Sequence, residues 1–207
     1  MNPTEIPVDR VAACKVGLVA DTHSAQSDGS DLPDAVLAAL RGVDLIVHLG
    51  DMGAVGVLDR FARVAPVLAT RGHHAVGDDP RIASHARVVE ACGYSVGALF
   101  DLARAHESIR VLDTIELPPG PLDPLLEALF GRRVDVVAFA ATHRPLLLRK
   151  DGVLFVNPGS PNLPAAGPGT VAIIELGHPE PRAEIRQIEA NHPPAAILDS
   201  RFDDARA

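Results

Sequence analysis

A chain of 207 residues, 47% apolar and 22% charged, holds enough material for one domain with a sizeable core and has the balance of an ordinary globular protein. Aromatic residues make up 3%, with no Trp, so the core must be aliphatic. A net charge of −8 without any long Lys/Arg run argues against nucleic-acid binding, which needs a basic surface and often aromatic platforms, but leaves a small anionic ligand open, because bound cations can reverse a local field.

The N-terminal stretch MNPTEIPVDRVAACK carries acidic residues and no apolar stretch, so it does not read as a signal peptide, and no apolar run later in the chain is long enough to span a membrane. Cys14 and Cys92 are too few for a disulfide framework, and a cytoplasmic, reducing location is expected. Residues 15–20 form a short, continuous apolar run of the kind that makes a buried strand, ending in Asp21-Thr22-His23. A helix is expected over 32–41, with Pro33 near its start, where a missing N–H is harmless, and Gly42 just past its end. A strand over 44–49 ends in Gly50-Asp51, a helix follows over 55–64, and a strand over 66–70 leads into Arg71-Gly72-His73-His74. Residues 97–105 and 122–130 are two further helix candidates. Between them, segment 107–121 carries strand-like pieces at 109–112 and 114–117. A strand over 134–140 leads into Ala141-Thr142-His143.

From there the pattern changes. Segments 145–150, 153–156, 171–176 and 183–188 are strand-like with loops alone between them, which points to an antiparallel portion. The second of these leads into Asn157-Pro158-Gly159-Ser160 and a proline- and glycine-rich loop that ends at 169. Together the pieces predict an α/β sandwich with mixed β-sheets flanked by helices. Residues 1–189 read as a single domain, and 190–207 as a loosely held tail.

Asp21, His23, Asp51, His73, His74 and His143 all follow strands. In α/β sheets ligands bind outside the carboxyl ends of the strands, so positions far apart in the chain can meet on one rim. Singly, His23 or His143 reads as a surface histidine and Asp51 as a helix cap. The order D-x-H, G-D, R-G-x-H, T-H, N-P-G-S along successive strands is the specific signal.

The segments VGLVADTH, LIVHLGD, LATRGHHA, VVEACGYSVG, VVAFAATHRP and GVLFVNPGSP resemble the motifs of the calcineurin-like metallophosphoesterase superfamily, in the branch of small bacterial phosphodiesterases to which the retromer subunit is related. The likeness runs from about residue 15 to 188. It implies divalent ions of the Mn, Fe, Zn or Ni type and hydrolysis of a phosphomonoester or phosphodiester by a metal-bound hydroxide. Carried onto this chain, the first metal position would use Asp21, His23 and His143, with Asp51 as the bridging carboxylate. The second departs from the family pattern. His73 stands in place of Asn, Cys92 and Tyr94 in place of two His, and Ala141 in place of another. One ion is therefore expected, and a second would rest on Asp51, His73 and Cys92, a softer donor set. The rival reading makes Cys92 a small buried apolar side chain.

His74 matches the family's proton donor to the leaving group, with Ala75 where an acidic partner is usual. Arg71 is a candidate for holding a phosphate oxygen, against a structural ion pair. Asn157 and Ser160 read as turn-shaping, and His48 as a hydrogen-bonded core histidine. The missing ligands leave a second function open, that of an inactive protein of this fold serving as an interaction module for a protein partner. Segment 107–121, an insertion relative to the compact branch, either caps the site or forms a partner surface.

Overall fold

The computed structural model describes residues 6–74 and 76–188, so the expected tail at 190–207 lies outside the described residues. The chain opens with β1 (Val8–Val11) and β2 (Lys15–Val19), then α1 (Asp34–Ala39), β3 (Leu45–His48), α2 (Gly56–Phe61), β4 (Val67–Thr70) and a short β5 (Ile82–Ala83). A hairpin of β6 (Ala86–Ala91) and β7 (Tyr94–Leu99) follows, then one helical turn, α3 (Leu102–Ala105), and a small hairpin of β8 (Arg110–Val111) and β9 (Ile115–Glu116). The remainder is α4 (Asp123–Phe130), β10 (Val136–Ala138), β11 (Pro145–Lys150), β12 (Val153–Pro158), β13 (Thr170–Glu175) and β14 (Arg182–Gln187).

Among the described residues, the strands other than β8 and β9 form two six-stranded sheets, in the orders β1-β6-β7-β10-β12-β11 and β14-β13-β2-β3-β4-β5. In the second sheet β2, β3, β4 and β5 run parallel, with Val16 beside Leu45 and Ile46 beside Val67, and β13 and β14 are antiparallel. In the first, β7, β10 and β12 run parallel, β11 is antiparallel to β12, and β6 is antiparallel to β7 but parallel to β1. This is the mixed α/β sandwich expected from the sequence.

The central strands are apolar on both faces because both faces are covered. Val16, Leu18, Val47, Val136, Ala138 and Val156 fill the layer between the sheets. Val19 and Ile46 point the other way, onto Val36, Leu40, Val57 and Phe61 of the α1–α2 layer. Val137, Phe139 and Phe155 meet Leu126 and Phe130 of α4. Each such Val, Leu, Ile or Phe side chain, fully buried, stabilises the fold by roughly 1.5–3 kcal/mol. α4 stops at Gly131, whose φ of 68° lets its N–H close onto Glu127 O at 2.8 Å.

Two expectations are overturned. The helix expected over 97–105 is strand at its start and helix only at its end: β7 runs to Leu99, and the helix spans Leu102–Ala105, capped by the Asp101 carboxylate, which accepts from Arg104 N at 3.0 Å. Pairing overrides the helical pattern here, because Gly97 lies beside Val88 and against the Phe130 ring, where a Cβ would come within 2.7 Å of a ring carbon.

The two cysteines are also bonded to each other. Cys14, just before β2, and Cys92, in the β6–β7 turn, form a disulfide with Cα atoms 5.2 Å apart. Both are exposed, and the bond joins one sheet to the other. Among the described residues, no helix is long and apolar enough to cross a membrane.

Candidate metal centre

The carboxyl ends of β2, β3 and β4 in one sheet face those of β7, β10 and β12 in the other. The segments after β2 and β3 are laced together: Asp21, His23 and Ser24 donate their N–H groups to Gly50, Asp51 and Met52 carbonyls, each at 3.0 Å. Asp21, His23, Asp51, Ala141 and His143 all adopt left-handed backbone, with φ between 44° and 71°. Such conformations cost non-glycine residues about 1–3 kcal/mol each and cluster at functional sites. Glycine is required beside them, since a Cβ on Gly72 would lie 2.1 Å from Asp51 Oδ1.

Four of the expected residues converge. Asp21 is fully buried; its Oδ2 accepts from Ala141 N at 3.2 Å, and its Oδ1 has no hydrogen-bond partner. His23 Nε2, also buried and without one, lies 3.9 Å from that Oδ1 and 4.0 Å from Asp51 Oδ2. His143 Nδ1 meets Leu163 O at 2.7 Å, so it carries the proton, and Nε2 turns its lone pair toward Asp21 Oδ1 at 3.4 Å. Acceptors crowded this way call for a proton or a cation between them. Donors each about 2.0–2.2 Å from one ion can be at most about 4.4 Å apart, and these separations fit. Asp21, His23 and His143 form one such group; His23, Asp51 and His74 form a second that shares His23.

Burial lowers the pKa of His23 despite the nearby Asp51 and Asp21 carboxylates, which keeps it neutral and able to ligate. His143 is shifted the other way by its contact with Asp21. A proton on His143 and an ion beside Asp21 therefore compete for the same carboxylate.

The second group differs from the expected one. His74, expected as the proton donor, sets Nδ1 2.9 Å from Asp51 Oδ2, and its N–H donates to Asp51 Oδ1 at 3.0 Å. His73, expected as the ligand, turns to Asp101 instead (Nε2 to Oδ2, 3.1 Å) and packs edge-on against Phe100. Cys92 is excluded twice over. A disulfide sulfur is no thiolate, and the residue sits at the start of β7, one strand length (about 20 Å) from the rim. The residues after β7 at the rim are Phe100 and Asp101. Asp101 went unseen because its surroundings read as helix, although an Asp before Leu-Ala-Arg-Ala is a capping signal. Arg71 is held by its own loop, donating to Val76 O at 2.8 Å and lying 3.4 Å from Asp78, rather than open toward the centre.

A shell of fixed hydrogen bonds supports the rim. Ser160 Oγ donates to Asp21 O at 2.7 Å and accepts from Leu163 N at 2.8 Å. Asn157 accepts from Gly159 N at 2.9 Å and donates to Thr142 Oγ1 at 3.1 Å. Asn162 Nδ2 donates to Thr22 O at 2.7 Å. His48 is buried, as expected. Its Nδ1 accepts from Gly50 N at 3.2 Å, so Nε2–H donates to Thr22 Oγ1 at 3.0 Å, which donates on to Met52 O at 3.1 Å.

Burial pushes the His48 pKa down to about 3, with Asp51 opposing weakly. The unfolded chain takes up this proton near pH 6.5 and the folded chain does not. Stability from this group is thus complete above about pH 6.5 and falls by about 1.4 kcal/mol per unit as pH drops toward 3. Urea unfolding between pH 7.5 and 5 should show a steeper decline in the native protein than in His48→Asn; equal slopes would contradict the buried neutral imidazole.

A sandwich that gathers carboxylates and imidazoles at one-ion spacing on the ends of its parallel strands has the architecture of a divalent-metal protein. Residues 14–178 match the calcineurin-like phosphoesterase superfamily domain, and the chain belongs to that metal-dependent superfamily. A probable metallophosphoesterase of Methanothermobacter thermautotrophicus is 27% identical over 174 residues, which is 82% of this chain and 90% of that protein. A second, from Methanocaldococcus jannaschii, is 29% identical over 151 residues, 72% of this chain and 69% of that protein. Among solved structures, Vacuolar Protein Sorting 29 from Cryptosporidium parvum shares the fold with a TM-score of 0.59 at 17% identity, over 86% of this chain and 98% of that one. An archaeal phosphodiesterase does so with a TM-score of 0.53 at 21% identity, over 83% of this chain and 99% of that one.

Proposed function

We propose that the chain hydrolyses a phosphate ester at divalent ions held by Asp21, His23 and His143, and by Asp51 with His23 and His74. The observation that carries the proposal is the convergence of Asp21 Oδ1, His23 Nε2 and His143 Nε2, two of them buried with no hydrogen-bond partner. Ions bound there would lower the pKa of water and neutralise charge on phosphate oxygens. The protein residues do the rest. Burial holds His23 neutral, Leu163 O fixes the His143 tautomer, and the Ser160 and Asn157 hydrogen bonds keep the ends of β2, β10 and β12 in register. His74 joins the donor set through Asp51 instead of serving as a separate proton donor.

The test is direct. Protein equilibrated with Mn²⁺ and dialysed is expected to retain about one or two ions per chain and to turn over a chromogenic phosphodiester or phosphomonoester. If no ion is retained and no turnover appears with Mn²⁺, Zn²⁺, Ni²⁺ or Fe²⁺, the hydrolase reading fails and a binding role on this fold takes its place.

A further inference from the structure

We infer that Leu112 and Asp113, at the tip of the β8–β9 hairpin, together with Arg144, decide which phosphate ester the metal rim accepts; this rests on the phosphoesterase reading above. The hairpin lies within the 107–121 insertion. The chain leaves the first sheet after Leu99, the end of β7, and the hairpin tip is tied by the Asp113 carboxylate to the Arg144 guanidinium. Arg144 directly follows His143 and precedes β11, the edge strand beyond β10 and β12. The segment therefore spans the first-sheet side of the rim from β7 to β11. Its base is anchored, since Ile109 and Ile115 are buried in the α4 layer. Its tip faces solvent: Leu112 is 73% exposed, and the Asp113 and Arg144 side chains 85% and 51%.

Arg71, Arg104 and Arg144, from the loops and helix that follow strand ends, each already hold a carboxylate: Arg71 with Asp78, Arg104 with Asp101, Arg144 with Asp113. Each of these cations is therefore offset by its own carboxylate. Arg71 is also fixed to Val76 O, whereas Arg144 adjoins a metal-site histidine in a solvent-exposed pair. Exposed pairs are worth about 0–1 kcal/mol, so a phosphate oxygen at the adjacent ions can take Arg144 from Asp113 at little expense. The displaced carboxylate remains nearby and repels a second negative charge on the ligand. A diester carries one charge, a monoester closer to two at neutral pH. In this arrangement Arg144 draws the phosphate in, Asp113 selects the monoanionic diester, and Leu112 offers an apolar contact to its ester group.

The experiment uses the Mn²⁺-loaded full chain, with inorganic phosphate binding read by calorimetry. Turnover of bis(4-nitrophenyl) phosphate and 4-nitrophenyl phosphate is read in parallel. Arg144→Gln should weaken phosphate binding about tenfold, by loss of a charge-assisted hydrogen bond. Asp113→Asn should tighten it and move the monoester-to-diester ratio of kcat/KM up by at least about threefold, because one negative charge no longer repels the ligand. Leu112→Ser should lower kcat/KM for the diester alone. If all three variants keep the native ion count, phosphate affinity and ester ratio within about twofold, the hairpin has no such role. If the native protein itself retains no ion and binds no phosphate, the phosphoesterase reading has failed, and this inference goes with it.

Discussion

His143→Ala is expected to lower turnover by well over 100-fold and to remove about one retained ion per chain. Losing a partner outside the coordination shell already costs 10–100-fold in metal affinity or activity in metal sites of this kind, and His143 is placed to ligate directly. Its Nε2 faces Asp21 Oδ1 at 3.4 Å, and it is the one side chain of the first sheet in either donor group among the described residues. Asp21, His23, Asp51 and His74 all follow strands of the second sheet, so without His143 neither donor group would draw on the first sheet. Calorimetric Mn²⁺ titration and dialysis separate this from unfolding, since the variant should keep the far-ultraviolet dichroism of the native protein. Undiminished turnover in the variant would mean that the first donor group is wrongly assigned.

How far the sequence reveals this centre depends on whether local or distant contacts place each residue. Asp21, Asp51 and His143 were legible because each terminates a short apolar run, and the ends of parallel strands must lie on one rim. The exchange of roles between His73 and His74 was not. Both follow Gly72, and which imidazole turns to Asp51 depends on Asp101, a residue 28 positions away that competes for His73. The left-handed backbone at Asp21, His23, Asp51 and His143 is only weakly marked in residue type, because Asp and His enter that region more readily than most side chains but still seldom do. It is imposed by the lacing of the β2 and β3 ends to each other.

The β6–β7 hairpin was missed for a related reason. Arg87 and Glu90 interrupt the apolar run of β6, and Arg87 is buried only because Ala69 O, Arg81 O and Asp9 receive its guanidinium. With that hairpin unseen, Cys92 had no fixed place. Aligning it to a ligand position put it at the wrong end of β7.

The disulfide supplies the second large effect and bears on the role of Cys92. Its cysteines are 78 residues apart, and closing a loop of that length in the unfolded chain is worth on the order of 4 kcal/mol in the chain-entropy model. For a domain of this size that corresponds to a loss of roughly 10 °C or more in Tm on reduction. Thiol titration of the oxidised native protein should find no reactive cysteine, and a phosphine reductant should release both.

Cys14→Ser and Cys92→Ser break the same bond, so they should lose the same Tm and keep the same number of ions. A ligand role for Cys92 predicts otherwise: only Cys92→Ser would shed metal, and Cys14→Ser would leave both quantities alone. Geometry favours equivalence. Cys14 precedes β2 and Asp21 follows it, so the disulfide and the donor groups lie at opposite ends of a strand roughly 17 Å long. The covalent link holds the sheets together at one end, and bound ions would bridge them at the other through His143. The reduced protein should therefore melt earlier yet bind Mn²⁺ with unchanged stoichiometry. Unequal ion counts in the two serine variants would return Cys92 to the metal site and overturn this division.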